Sequence, residues 1–390
     1  MICNKNDCTG CMACFNACPV NAIKMICDKY GNYYPNIDVN KCIKCKLCEK
    51  VCPAINRVKG KYPIECYAAK AKDDQDYQKA SSGGIARVLY KYIINKGGIG
   101  YGVGSDKKDK IAYKRIDNMD KISNISGSKY VYSYAGDIYK KVKIDLDKNL
   151  LVLFVGLPCQ IAALKNFLRK EYDNLILIDI ICHGVPSLKL LEEDLKSNEI
   201  NFNKIDYITF RNKGKMQILL NGKEFKKEID FFEDIYFYSF LKGISYRENC
   251  YSCQYANNYR ISDITLGDFW GLVDDVKFKH DKGINCVLIN TIKGKKIFQE
   301  INECIEFEKR DIDMAIKGNA QLNNPTTKNK SHQKFLKNYL KYNSFKKSMY
   351  KTIGIRFEFN KTIKLIKRKI KSNDKLYEII KKIIKKMKRR

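Results

Sequence analysis

Residues 8–18 read Cys8-Thr-Gly-Cys11-Met-Ala-Cys14-Phe-Asn-Ala-Cys18, followed by Pro19. The same spacing returns 34 residues later as Cys42-Ile-Lys-Cys45-Lys-Leu-Cys48-Glu-Lys-Val-Cys52, followed by Pro53. Three thiols at intervals of three suit a tight loop that wraps three corners of a 4Fe-4S cubane, while the fourth, beside the proline, reaches the other cluster. On that rule Cys8, Cys11, Cys14 and Cys52 hold one cluster, and Cys42, Cys45, Cys48 and Cys18 hold the second. Zinc also uses paired C-x-x-C motifs, but four thiolates per ion would leave the third step and the Cys-Pro unexplained.

The run is the internal repeat of a two-cluster bacterial ferredoxin module over residues 1–58, with short β pieces at Asn21–Lys24 and Tyr33–Asn36. Cys3 and Cys27 fall outside the spacing and read as packing cysteines. Cysteines gathered in metal-ligand spacing, with no leader segment in view, point to a reducing, cytoplasmic setting rather than to disulfides.

At 390 residues the chain has length for two or three cores. Its most apolar stretch, Leu150 to Leu157, is strand-length and stops at Pro158, so no membrane-spanning helix is expected. The formal charge of +31 is uneven: from Lys328 to Arg390 there are 23 Lys/Arg against three acidic residues, about +20, which leaves about +11 for the first 327 residues.

Beyond a linker near Lys59–Pro63, Glu65–Ala69 reads as a strand. Ser81-Ser82-Gly83-Gly84 then opens a helical run, Ile85 to Asn95. Such a helix start exposes N–H groups that suit a phosphate, and it suits an ordinary cap equally well. Gly98, Gly100, Gly102 and Gly104 alternate along a strand without matching a dinucleotide fingerprint. Asn149–Val155 and Leu175–Ile181 are continuous apolar strands, the first followed by a helix through Phe167. This alternation predicts a parallel α/β sheet with its ligands at the carboxyl ends of the strands. Ile205–Arg211 and Gln217–Leu220 read as strands, and Phe231–Leu241 as an aromatic-rich helix. Cys159 and Cys182 sit at strand ends, and Cys250 and Cys253 form a C-x-x-C. Together they number enough for a third 4Fe-4S cluster, or they are two buried thiols and an unrelated pair. Cys286 and Cys304 read as core, and Asn323–Lys330 as a linker.

Taken with the cysteine repeat, Ser81–Gly84, Gly127-Ser128-Lys129-Tyr130, Gly156-Leu157-Pro158-Cys159-Gln160, Cys182-His183-Gly184-Val185-Pro186-Ser187 and Asp263–Gly271 resemble the family of coenzyme F420 hydrogenase/dehydrogenase beta subunits over about residues 1–310. The resemblance implies an α+β ferredoxin-like module followed by an α/β flavin-binding region, divided as 62–145 and 146–322; beyond it the residues themselves read as a basic helical tail, 328–390. It implies an iron–sulfur flavoprotein oxidoreductase that passes electrons between a hydride-carrying cofactor, F420 or a substitute, and 4Fe-4S clusters or a ferredoxin through FAD. A non-catalytic electron-transfer subunit, or an accessory protein of polysaccharide synthesis at the membrane surface, is the alternative. Carried over by motif, Ser82, Gly83, Gly84, Lys129, Pro158 and Gln160 become cofactor-binding candidates. His183 becomes the catalytic candidate, with a hydrogen-bonded structural role equally open. The resemblance also favours a third cluster on Cys159, Cys182, Cys250 and Cys253, and a redox partner protein or ferredoxin.

Outside the resemblance, Leu376, Ile379, Ile380, Ile383, Ile384 and Met387 share one helical face, ringed by lysines. Such a segment suits an anionic membrane surface, which would make the protein peripheral at the inner face, or an acidic partner, or it is a solvated helix. No nucleic-acid motif accompanies the charge, and none is expected as a partner.

Overall fold

The computed structural model describes residues 2–106, 110–212, 214–273 and 275–370. Each half of the N-terminal repeat supplies a cysteine loop, a short helix and one strand of a ribbon. Helix α1 (Ala13–Ala17) follows the first loop. Strands β1 (Ile23–Cys27) and β2 (Tyr33–Ile37) pair antiparallel with Ile23 opposite Ile37, and α2 (Leu47–Lys50) follows the second loop. The two loops share a backbone: Gly10 and Met12 in the first, and Lys44 and Lys46 in the second, all take left-handed conformations with φ of 67°, 66°, 55° and 59°.

The chain continues through β3 (Glu65–Ala71), α3 (Asp74–Lys79), α4 (Ile85–Asn95), β4 (Ile99–Asp106), β5 (Lys110–Ile116), α5 (Ile138–Asp147), β6 (Val152–Gly156), α6 (Pro158–Leu168), β7 (Leu175–Ile180) and α7 (Leu188–Ser197). It goes on through β8 (Tyr207–Asn212), β9 (Lys215–Asn221), β10 (Lys226–Asp230), α8 (Ile235–Leu241), β11 (Ile264–Asp268), β12 (Asn285–Ile289), α9 (Ile292–Glu300), β13 (Ile305–Arg310), α10 (Ile312–Gly318), α11 (Lys330–Tyr342) and α12 (Phe345–Ile370).

Eight strands form one sheet in the order β13-β3-β12-β11-β7-β6-β4-β5. The parallel sheet expected from the apolar runs is its centre only, where β11, β7, β6 and β4 pair parallel. The flanks are antiparallel, so the sheet is mixed. The sequence explains the split. β6 (Val-Leu-Phe-Val-Gly) and β7 (Leu-Ile-Leu-Ile-Asp-Ile) are apolar throughout because both of their faces are covered. By contrast β4 and β5 are joined by a short connection, which only an antiparallel pair allows. The glycines of β4 make room for α4: a Cβ on Gly100 or Gly102 would lie 2.6 Å or 2.2 Å from the Tyr90 side chain.

Strands β8, β9 and β10 leave this sheet for a small one of their own, and with α7 and α8 they build a second core. Residues 330–370, part of the stretch set apart as a tail on charge, complete that core. Phe335, Tyr339, Phe345, Met349 and Phe357 are fully buried there beside Tyr236 and Phe237. The stripe from Leu376 to Met387 lies outside the described residues. No helix among those described is long and apolar enough to cross a membrane. Two cysteines differ from expectation: Cys27 and Cys304 are exposed, whereas Cys286 is buried in the sheet.

The ferredoxin module is fastened to the body at its cysteine loops. Tyr132 donates its hydroxyl to the Gly10 carbonyl (2.6 Å), Tyr139 to the Cys11 carbonyl (2.9 Å), and Gln254 and Tyr255 to the Pro53 carbonyl (2.6 and 3.2 Å). Loop carbonyls with no helix or sheet to satisfy them are thus met by buried side chains.

Candidate functional site

The structure gathers the cluster candidates into three cages. Cys8, Cys11, Cys14 and Cys52 face a cavity of about 20 Å³, and Cys18, Cys42, Cys45 and Cys48 face one of about 30 Å³. Cys3, read from sequence as a packing residue, stands at the first cage, where its thiol hydrogen-bonds Cys52 and Cys8 and lowers the pKa of both. Among the described residues no three His, Cys, Asp or Glu side chains close on a point where a single ion would sit. Each set of four thiols instead lines one shared cavity.

The third cage lies at the carboxyl edge of the parallel strands. Pro158 begins α6 directly after β6, where its missing N–H is not needed, and so presents Cys159. Cys182 follows β7. Cys250 and Cys253 come from the 3₁₀ turn Glu248–Ser252 and its end. All four, with Cys11 of the first cage, line a cavity of about 40 Å³. Burial pushes the four thiols up, Cys182 to about 12, and for Cys159 the charges of the other three add to it. Backbone N–H groups of Gly184, Val185, Tyr255 and Ala256 point at Cys182, Cys250 and Cys253 and oppose that rise. Buried thiols that repel one another once ionised, already served by N–H donors, are the donor set that a cationic iron–sulfur core relieves.

Against this cage lies a larger cavity of about 340 Å³, bounded by the carboxyl ends of β6, β7 and β11 and by two loops. The loops are tied together, since Ser81 Oγ accepts the Ser128 N–H at 2.7 Å. Ser82, Gly84, Lys129, Gln160 and His183 line the cavity. Pro158 lines only the third cage, and Gly83 lines neither. A Cβ on Gly83 would sit 2.4 Å from the Ala69 carbonyl oxygen and 2.7 Å from the Asn285 nitrogen, so that glycine serves the packing of β3 and β12.

Lys129 Nζ donates to the Gly127 carbonyl (3.0 Å) and to that of Ser126, and among the described residues no carboxylate pairs with it. Burial lowers its pKa to about 7. A lysine walled into a cavity with two carbonyls and the Tyr207 ring (5.6 Å) for company is short of a counter-charge, which an anionic ligand supplies. Gln160 is held in place: its Oε1 accepts from Tyr113 (2.8 Å) and from the Leu157 N–H (3.0 Å), and its Nε2 donates to Ser133 (3.1 Å). With Leu157, His183 and Val185 it belongs to both the large cavity and the third cage. Desolvation depresses the His183 pKa and Asp268 opposes it.

Two stretches of the chain match known families. Residues 150–315 match the family described as the C terminus of the coenzyme F420 hydrogenase/dehydrogenase beta subunit, and residues 7–55 match the 4Fe-4S dicluster domain. The chain thus carries the C-terminal domain of F420 beta subunits behind a dicluster ferredoxin domain. It is 23% identical over 343 residues to the F subunit of F(420)H(2) dehydrogenase from Methanosarcina mazei, covering 80% of this chain and 90% of the relative. It is 25% identical over 253 residues to the beta subunit of F420-dependent formate dehydrogenase 1 from Methanococcus maripaludis, covering 60% and 59%. An uncharacterized ferredoxin of Methanocaldococcus jannaschii is 36% identical over 53 residues, 14% of this chain and 68% of the relative. The chain is thus an iron–sulfur electron-transfer protein similar to subunits of F420-linked oxidoreductases.

Several residues that stand at the site carry no motif. Arg260, nearly fully buried beside the third cage, pairs with Asp179 at the end of β7 (2.9 Å). Arg247 reaches the first cage from the loop before Cys250. Single arginines in irregular loops have no periodicity to betray them.

Proposed function

We propose that the chain is an iron–sulfur flavoprotein oxidoreductase that moves electrons between a hydride carrier, F420 or a substitute, and a one-electron partner. FAD is the proposed cofactor of the 340 Å³ cavity, and 4Fe-4S clusters are the proposed occupants of the three cages. The supporting observation is contiguity. Gln160, Leu157, His183 and Val185 are shared by the large cavity and the third cage, and Cys11 by the third cage and the first. Helix α1, between Cys11 and Cys18, then leads to the second cage. The result is a row in which the large cavity, the third cage and the first cage share walls and α1 links the first cage to the second.

When bound, FAD would supply the exchange between hydride and single electrons that clusters alone cannot perform. The chain's own part is binding and orientation. Ser82, the turn at Gly84 and Lys129 form the wall suited to phosphate or to a reduced ring's charge, and Gln160 is locked toward the shared boundary. His183 stands at that boundary with its proton affinity depressed, ready to accept a hydrogen bond as neutral imidazole. Twelve thiols reserved for clusters suit a reducing, cytoplasmic setting.

The test is anaerobic purification with FAD, then exposure to F420 in reduced form, NADH, NADPH and reduced ferredoxin while flavin and cluster absorbance are followed. Flavin reduction by a soluble hydride donor alone is expected. The F(420)H(2) dehydrogenase and formate dehydrogenase relatives are named as subunits, which favours a second reading in which the chain only wires another protein's active site. Flavin reduction only in a partner's presence would support that reading.

A further inference from the structure

The two cysteine loops have one backbone and opposite surroundings. In the first, the left-handed turns at Gly10 and Met12 face inward: Met12 is 1% exposed, the Gly10 and Cys11 carbonyls are bonded by Tyr132 and Tyr139, and Cys11 touches the third cage. A side chain at Gly10 would meet Arg247 Nη1 at 3.1 Å, so the docked loop needs glycine. In the second loop the matching turns are Lys44 and Lys46, and both are exposed.

A lysine in a left-handed turn is strained where glycine would be at ease, and strained positions that persist tend to be functional. Here the strain holds two ammonium groups on either side of Cys45, the only exposed thiol among the twelve. Lys41 and Lys50 are exposed as well, and Glu49 is the single carboxylate in residues 41–50. At the centre Ile43, 61% exposed, forms part of the cage wall and the outer surface at once.

We infer that this loop is a docking surface for an acidic one-electron carrier protein of the ferredoxin kind. It repeats, outward, the contact that the first loop makes with the body. The apolar centre at Ile43 excludes water where the cage comes closest to solvent, and the lysine ring supplies orientation and a fast, salt-sensitive encounter. One electron leaves the carrier's reduced cluster and is taken up at the second cage, or passes the other way, with no proton or bond exchanged. The inference rests on the proposed cluster in the second cage but not on the flavin.

The experiment uses the full chain with its clusters reconstituted anaerobically. An acidic two-cluster ferredoxin, reduced beforehand, is mixed in stopped flow with the oxidised protein and with a Lys41→Glu, Lys44→Glu, Lys46→Glu variant. A viologen bearing a single sulfopropyl group, neutral in its reduced radical form and also reduced beforehand, serves as the uncharged donor. The expected result is a rate with ferredoxin that falls with salt and drops roughly tenfold or more in the variant at low salt, while the viologen rate stays level. Equal ferredoxin rates for the two proteins would overturn the inference. Where the variant fails to retain clusters, carbodiimide cross-linking of the unaltered protein to the same ferredoxin decides instead. Links at Lys41, Lys44 or Lys46 are expected. Links confined to residues 328–390, or joining two copies of this chain, would overturn it. The ferredoxin reduces the clusters without flavin or hydride donor, so failure of the proposed flavin chemistry leaves this result readable.

Discussion

Arg247 donates Nε to the Cys8 carbonyl at 2.8 Å while its guanidinium lies 4.3 Å from the centre of the Tyr34 ring. Its Nη2 donates to the Tyr33 carbonyl (2.9 Å), its own carbonyl accepts from the Cys250 N–H (3.0 Å), and it is 2% exposed. One side chain therefore fastens the first cage to the loop that carries the third. Arg247→Ala strands two buried carbonyls, each costing about 1–3 kcal/mol. The expected loss is roughly 3 kcal/mol or more, read as a lower urea midpoint for the anaerobic holoprotein. Arg247→Lys, which keeps the charge but not the fork, should fall between the two. Removing the cation should also move the first cluster's potential downward, measured by potentiometric EPR.

The sequence made much of this arrangement legible, for reasons that individual residues show. A cysteine ligand cannot drift in spacing, so the two loops and the strand-end thiols Cys159 and Cys182 stood out. The doubly buried strands β6 and β7 stood out because nothing polar interrupts them. The antiparallel flank was hidden, since β13 (Ile-Glu-Phe-Glu-Lys-Arg) at the sheet edge buries only Ile305, leaves the rest half-buried or exposed and resembles any surface strand. Gly83 looked like a phosphate-loop glycine because the need for space against Ala69 and Asn285 arises only in three dimensions. The docking of α11 and α12 was masked by charge: Lys334, Lys337 and Lys341 are interspersed with the buried Phe335 and Tyr339 and drew attention to the solvated face of the same helix.

For the third cage, Cys159→Ser is expected to lower iron from about twelve to about eight per chain, since a cubane holds four and the other two cages keep their thiols. Iron and acid-labile sulfide, measured together on anaerobic protein, should fall in step. A variant that still holds about twelve irons would remove Cys159 from the ligand set.

Lys129 gives a pH dependence of definite sign. Its amine, depressed to about 7 by burial, is charged in the folded chain only below that pH, whereas an unfolded lysine holds its proton to about 10.4. Between those values the unfolded chain binds more protons, so the ligand-free protein gains stability as pH rises through the window. An anionic ligand favours the charged amine, and FAD affinity should accordingly weaken as pH rises from about 6 to about 8. Lys129→Met should bind FAD more weakly and with little pH dependence over that range, as read by flavin fluorescence titration.

The C-terminal stretch separates into two parts with different tests. Phe345 is wholly buried between Tyr236 and Phe335, and Phe345→Ala should cost about 3–5 kcal/mol of stability. A chain ending at Asn324 would lose the whole of that packing, so it cannot report on the charged end alone. Ending the chain at Ile370 removes nine Lys/Arg and two acidic residues while sparing the buried aromatics. Each basic residue near an anionic bilayer adds about 1 kcal/mol, and the attraction fades over a Debye length of about 10 Å at 0.1 M salt. In flotation with phosphatidylserine vesicles the full chain should rise at low salt and release at high salt, and the chain ending at Ile370 should stay down at both. Equal flotation of the two chains would mean that residues 371–390 contribute no membrane attachment.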